Sequence, residues 1–194
     1  MENNKKPFFV ERTCFGFFFE HGWGTIIIKD GIRRCSFDGS TMEINPLNRI
    51  IEALCKMHEG HSHCERIACE GEPSGYVIVF NKEGEDLHIQ IYECAYFFSE
   101  QSARNIMDDI DIPLDKESGG ISLALDIVVI FQTFVMEVCS EALRNLKEHG
   151  IVGYACSNSS DEFPFSSLLV LLGINQDEES DSNFDEEIRM LTGK

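Results

Sequence analysis

The chain reads as an α+β fold: one antiparallel meander of about five to six strands, with helices packed on one face and one of them long and central. Three observations carry this expectation. Asp30-Gly31 separates two runs rich in Ile and Phe, the dipeptide favoured where a two-residue hairpin needs positive φ. Tyr76–Phe80 and Leu87–Ile91 alternate from residue to residue, as half-buried strands do. Two stretches, opening at Pro46 and at Ile121, show the apolar spacing of helices.

Taken in order, Cys14–Phe19 reads as a strand that joins the hairpin formed by Thr25–Ile28 and Ile32–Phe37. Asn45 then offers an N-cap before Pro46 at the first helical position. Leu47, Ile50, Ile51 and Leu54 recur at helical spacing, and Gly60 supplies a left-handed stop, so a helix spans roughly 46–58. Arg66–Cys69, Tyr76–Phe80 and Leu87–Phe97 follow as strands, divided by Glu72-Pro73-Ser74-Gly75 and Lys82-Glu83-Gly84-Glu85. Ser99 caps a short helix through Met107. The main helix is expected over Ile121–His149, closed by Gly150, and a further one over Phe165–Leu172 after Pro164. Residues 1–174 form a single α+β domain on this reading.

The character changes at residue 175. Asn175 to Glu187 carries seven carboxylates and no base. Residues 175–194 are therefore an acidic arm, in which Phe184, Ile188 and Leu191 have the spacing of a short docking helix.

Acidity dominates the composition. Sixteen basic residues stand against thirty-four acidic ones, a formal charge of -18 over 194 residues. Such a charge repels nucleic acid and anionic membranes and favours a basic protein partner. The 43% hydrophobic content and fifteen Phe supply enough apolar surface to offset chain entropy. Eight cysteines fall mostly inside apolar periodic segments, as small buried thiols do, and Pro7–Val10 is too short for the apolar region of a signal peptide. A cytoplasmic protein with reduced thiols is expected. The one long apolar run, Ile121–Val138, contains Asp126, Gln132 and Glu137. A carboxylate near mid-span costs about 2.5–3.5 kcal/mol on insertion, which argues for a core helix rather than a membrane span.

The densest chemical cluster is Cys55, His58, His61, His63 and Cys64. Thiolate and imidazole suit zinc, and Cys55 and His58 have an i, i+3 spacing. The stretch lacks a second regularly spaced pair, so a polar helix-to-strand loop with buried thiols is the simpler account. Near-motifs fail where their chemistry needs them. His58-Glu59-Gly60-His61 is one residue short of H-E-x-x-H, and Cys64 stands where a nucleophile elbow beginning at Gly60 requires glycine. Asp177–Ile188 has Ser182 at the EF-hand glycine position and Ile188 where the bidentate Glu belongs. Asp108, Asp109 and Asp111 read as solvated loop charges, and Asp126 as the exposed stripe of its helix. Trp23, between Gly22 and Gly24 in an aromatic segment, suits either an interaction anchor at a strand end or a core position beside a bulge.

Phe17-Phe18-Phe19 through Trp23-Gly24, Pro46-Leu47 opening a helix, and Glu72-Pro73-Ser74-Gly75-Tyr76 between strands resemble segments of small uncharacterised bacterial α+β proteins. Some of these look like immunity partners of polymorphic toxins. The resemblance covers about residues 15–97 and transfers no functional residues. It implies an acidic, non-enzymatic protein-binding module without a cofactor that neutralises a basic toxin. On charge density, Asp161, Glu162, Asp177, Glu178, Glu179 and Asp181 join Trp23 as candidate contacts. The alternative is a zinc-dependent enzyme or metal-binding protein that uses the His58–Cys64 cluster.

Overall fold

The computed structural model describes residues 8–9, 14–20, 22–29, 33–41, 45–69, 71, 74–94, 121–157 and 163–174. Among them the strands are β1 (Phe8–Phe9), β2 (Cys14–Glu20), β3 (Trp23–Lys29), β4 (Arg34–Ser40), β5 (Cys64–Cys69), β6 (Gly75–Glu83), β7 (Asp86–Cys94) and β8 (Ile121–Ile130). The helices are α1 (Pro46–His58), α2 (Phe131–Ser157) and α3 (Phe165–Leu171). The α+β class, the antiparallel pairing and the helix over 46–58 match the sequence reading. The expected helix over Ser99–Met107 and the arm from residue 175 lie outside the described residues.

The strands form two sheets instead of one meander. β2-β3-β4 is a three-stranded antiparallel sheet, and β8-β7-β6-β5 is a four-stranded antiparallel one to which the two-residue β1 adds in parallel beside β8. The break falls where α1 intervenes between β4 and β5. Gly39 of β4, paired with Gly24 of β3, passes beside α1 and β5 without β4 pairing to β5: a Cβ there would lie 3.1 Å from Pro46 Cγ and 3.4 Å from Cys69 Cβ. Sequence adjacency suggested that β4 would pair onward, but the larger sheet is completed by β8.

β8 is the second correction. Ile121–Ile130 was expected to open the long helix, yet it is a strand paired with β7, and the helix starts at Phe131. Leu125, Ile127 and Val129 face the core while Asp126 and Val128 face outward. Val128 masks this period-two pattern by putting an apolar residue on the outer face, and β-branched Ile and Val favour the extended chain. α2 runs on to Ser157 across a kink at Gly150, whose φ of 69° is open to glycine at no steric cost.

The main core joins all three helices and both sheets, drawing on residues from Phe15 to Leu171, and a smaller buried cluster of Val77, Val79, Tyr92 and Cys94 lies on the other face of the larger sheet. Phe134 of α2 marks its centre. Its ring meets Phe15 of the smaller sheet edge-on at 5.9 Å and Phe80 of the larger one at 5.8 Å. α1 contributes Leu47, Ile50, Ile51 and Leu54, all fully buried. Each such side chain contributes about 1.5–3 kcal/mol.

The edge of β2 is sealed by α2. Glu137 accepts from the Phe15 N–H at 2.9 Å and Glu141 from the Phe17 N–H at 3.3 Å. Arg144 and Asn145 donate to the Phe17 carbonyl at 2.8 and 3.1 Å. These four residues form one helical stripe that satisfies the donors and acceptors a neighbouring strand would otherwise take. Among the described residues, no helix is long and apolar enough to cross a membrane.

Candidate functional site

The outer face of the three-stranded sheet carries the most distinctive surface chemistry. Alternation in β2 sends Phe15, Phe17 and Phe19 into the core and leaves Phe18 52% exposed on the other side. Its register neighbours on that face are Thr25 and then Asp38. Trp23 opens β3 on the same face and is 37% exposed. Strand polarity thus places two large aromatic surfaces together.

α2 frames one side of this face. The Arg144 guanidinium lies 4.8 Å from the Phe18 ring centroid while ion-paired to Glu141 and Glu148, each at 2.9 Å. The His149 ring packs against Phe19 at 4.3 Å. The opposite wall holds Tyr76, stacked on Phe37 at 4.4 Å, and the tight turn at Gly71, where a Cβ would meet the Ser74 carbonyl oxygen at 2.3 Å. Burial first, and then the Glu93 carboxylate, push the Tyr76 hydroxyl above its usual pKa. Together these groups line a cleft of about 970 Å³.

The polar groups of the cleft are largely engaged with one another. The Thr25 hydroxyl donates to Asp38 Oδ1 at 2.6 Å, and Arg144 is held by its two glutamates. What the cleft offers an incoming molecule is aromatic area, the remaining Asp38 oxygen and the half-exposed Glu148. This is the composition of a recognition surface, in which aromatic anchors supply area and a few polar groups set orientation.

The other sequence candidates sit elsewhere. Cys55 is buried in α1, its thiol pushed up by burial and 3.6 Å from Glu59. His58, His61 and His63 are exposed, with His61 3.6 Å from Glu59, and Cys64 lies half-buried at the start of β5. Among the described residues, no three His, Cys, Asp or Glu side chains converge to hold a metal ion. Asp161, Glu162, Asp177, Glu178, Glu179 and Asp181 lie outside the described residues, as do Asp108, Asp109 and Asp111.

Sequence reasoning singled out Trp23 but missed Phe18 and Arg144. The alternation within Phe17-Phe18-Phe19 held the signal for Phe18, whereas Arg144 is brought over by a helix 126 positions later in the chain, which no local pattern reports. Asp126, expected on the exposed stripe of a helix, instead lies on the outer face of β8, 2.5 Å from His88 Nε2. No protein family matches the chain, and no curated protein or solved structure matches it significantly.

Proposed function

We propose that this chain is a non-enzymatic protein-binding module that receives a basic partner on the outer face of its three-stranded sheet. The observation that carries this reading is the placement of Phe18 and Trp23, both exposed, on one face within the 970 Å³ cleft. Exposed aromatics cost solubility, and they are the side chains that most often anchor interfaces. Asp38 and Glu148 beside them, and a formal charge of -18, favour a cationic partner and speed its encounter. Neutralising a basic toxin, as immunity partners do, is a role of this kind. Asp161, Glu162, Asp177, Glu178, Glu179 and Asp181 are the further carboxylates proposed, on charge density in the sequence, as partner contacts.

The lone tryptophan makes the cleft its own reporter, because all indole emission comes from Trp23. Immobilised wild-type protein and a Phe18→Ser/Trp23→Ser variant are exposed to host lysate at low and high salt. The expected result is a basic protein retained by the wild type, released by salt and lost from a variant that still melts cooperatively. The purified partner should then shift the wild-type indole emission. Equal retention by both proteins, or an unshifted emission, would place the interface elsewhere.

A further inference from the structure

We infer that the group received by this cleft is an arginine side chain, stacked on the Trp23 indole with its guanidinium at the Asp38 carboxylate. The inference rests on the reading of the cleft as the site of a basic partner, and it names the residue that partner inserts.

Strand register sets the spacing. Thr25 of β3 pairs with Asp38 of β4, and Trp23 lies two residues before Thr25 on the same face. Trp23 and Asp38 are therefore diagonal neighbours about 7–8 Å apart, a separation that aromatic and long side chains span. It accommodates one planar group lying on the indole with an N–H at the carboxylate. Both residues line the cleft.

The Asp38 carboxylate is held ready for such a donor. The Thr25 hydroxyl donates to Oδ1 at 2.6 Å, which orients the group, and among the described residues no side chain donates to Oδ2. No cation of the lining neutralises it either. Among the described residues there, Arg144 is the only Lys or Arg, and Glu141 and Glu148, each at 2.9 Å, more than balance its charge.

The fold supplies its own instance of the contact. The Arg144 guanidinium lies 4.8 Å from the Phe18 ring centroid while its nitrogens donate to two carboxylates. Trp23 and Asp38 repeat this pairing of ring and carboxylate without a cation from the described residues. Chemistry favours guanidinium over ammonium at such a place. Guanidinium is planar and weakly hydrated, so it stacks on a ring face while donating from its edge, whereas the compact ammonium of lysine keeps its water.

The test uses the full chain and three probes: acetyl-Gly-Arg-Gly-amide and the same peptide with Lys or with citrulline in place of Arg. The readout is the indole N–H resonance of Trp23, a single signal because the chain has one tryptophan. The Arg and Lys peptides carry equal charge, so general attraction to a chain of -18 acts on both alike. The Arg peptide should shift the resonance saturably and bind about fivefold more tightly than the Lys peptide, and the uncharged citrulline peptide should fail. Asp38→Asn keeps an oxygen for the Thr25 hydroxyl. It should retain the melting profile and bring the Arg peptide down to the level of the Lys peptide. Equal binding of Arg and Lys peptides by the wild type, or an Arg preference undiminished by Asp38→Asn, would overturn the inference. Either result leaves the partner reading standing, because retention of a lysate protein by the wild type and its loss from the Phe18→Ser/Trp23→Ser variant decide that separately.

Discussion

The Tyr154 hydroxyl, 1% exposed, bridges two asparagines at the start of α1: it accepts from Asn45 Nδ2 at 2.6 Å and donates to Asn48 Oδ1 at 2.7 Å. Asn45 is itself the N-cap, accepting from the Leu47 N–H at 2.9 Å. The segment beyond the Gly150 kink is thereby tied to the helix cap through a buried polar triad.

Tyr154→Phe keeps the ring that packs edge-on against Phe19 and Phe163 and removes only the bridge. Deleting one member of a buried hydrogen-bonded set costs about 1–3 kcal/mol. The urea midpoint should fall accordingly with the slope unchanged. A shift within error would mean that the triad adds nothing beyond packing.

Glu137 gives a pH signature. It is half-buried, and burial raises its pKa even though the bond from the Phe15 N–H pulls the other way. A carboxyl whose folded pKa exceeds its unfolded one adds stability fully below the unfolded value, and that stability is lost as pH rises through the folded value. Glu137→Gln keeps an oxygen acceptor for Phe15 and removes the charge. It should therefore raise the melting temperature at about pH 7, with the gain fading towards about pH 4 as the wild-type acid protonates. Glu83→Gln, at an exposed site, measures the general relief of negative charge, and the Glu137 gain should exceed it. Glu137→Ala removes the acceptor and should cost about 1 kcal/mol.

The halves of this fold differed in how readable they were. α1 was legible to the residue because its signals are local: an Asn cap, a Pro at the first position and Ile50, Ile51 and Leu54 on one face. β8 was not, because Ile121–Ile130 carries enough apolar residues on both faces to satisfy a helical pattern as well as an extended one. Only pairing with β7 decides it, and that information lies about thirty positions away. The cleft divides the same way. Trp23 declared itself between two glycines, while the ion pairs of Arg144 and its approach to Phe18 arise from the docking of α2 on β2. Tertiary contact overrides local preference at such places.

Gly24 tests that docking from inside. A Cβ there would stand 2.7 Å from the Phe17 ring and 3.1 Å from Thr41 Cγ2, and Phe17 is fully buried. Gly24→Ala should destabilise by about 1–3 kcal/mol through overpacking. Gly16→Ala, on the same sheet, meets its nearest neighbours only at 3.5 Å and should be neutral or slightly stabilising. Comparable losses in both variants would mean that strand propensity, not the Phe17 contact, sets the cost.

Thiol chemistry reports on the whole core. Of the six cysteines whose side chains are described, Cys35, Cys55, Cys69, Cys94 and Cys139 are buried and Cys64 is not. Burial pushes the thiols of Cys35, Cys94 and Cys139 up to about 11, with Glu93 adding to the shift at Cys35 and Cys94, and burial drives Cys69 higher still. Alkylation requires the thiolate, and at about pH 8 a thiol with a pKa near 11 is ionised to about one part in a thousand. Iodoacetamide followed by mass mapping should therefore mark Cys64 first among these six. Cys69 and Cys139 should react only as fast as the fold opens, so their rates should rise together with urea. If Cys139 were labelled as quickly as Cys64 in native buffer, α2 could not be packed between the two sheets.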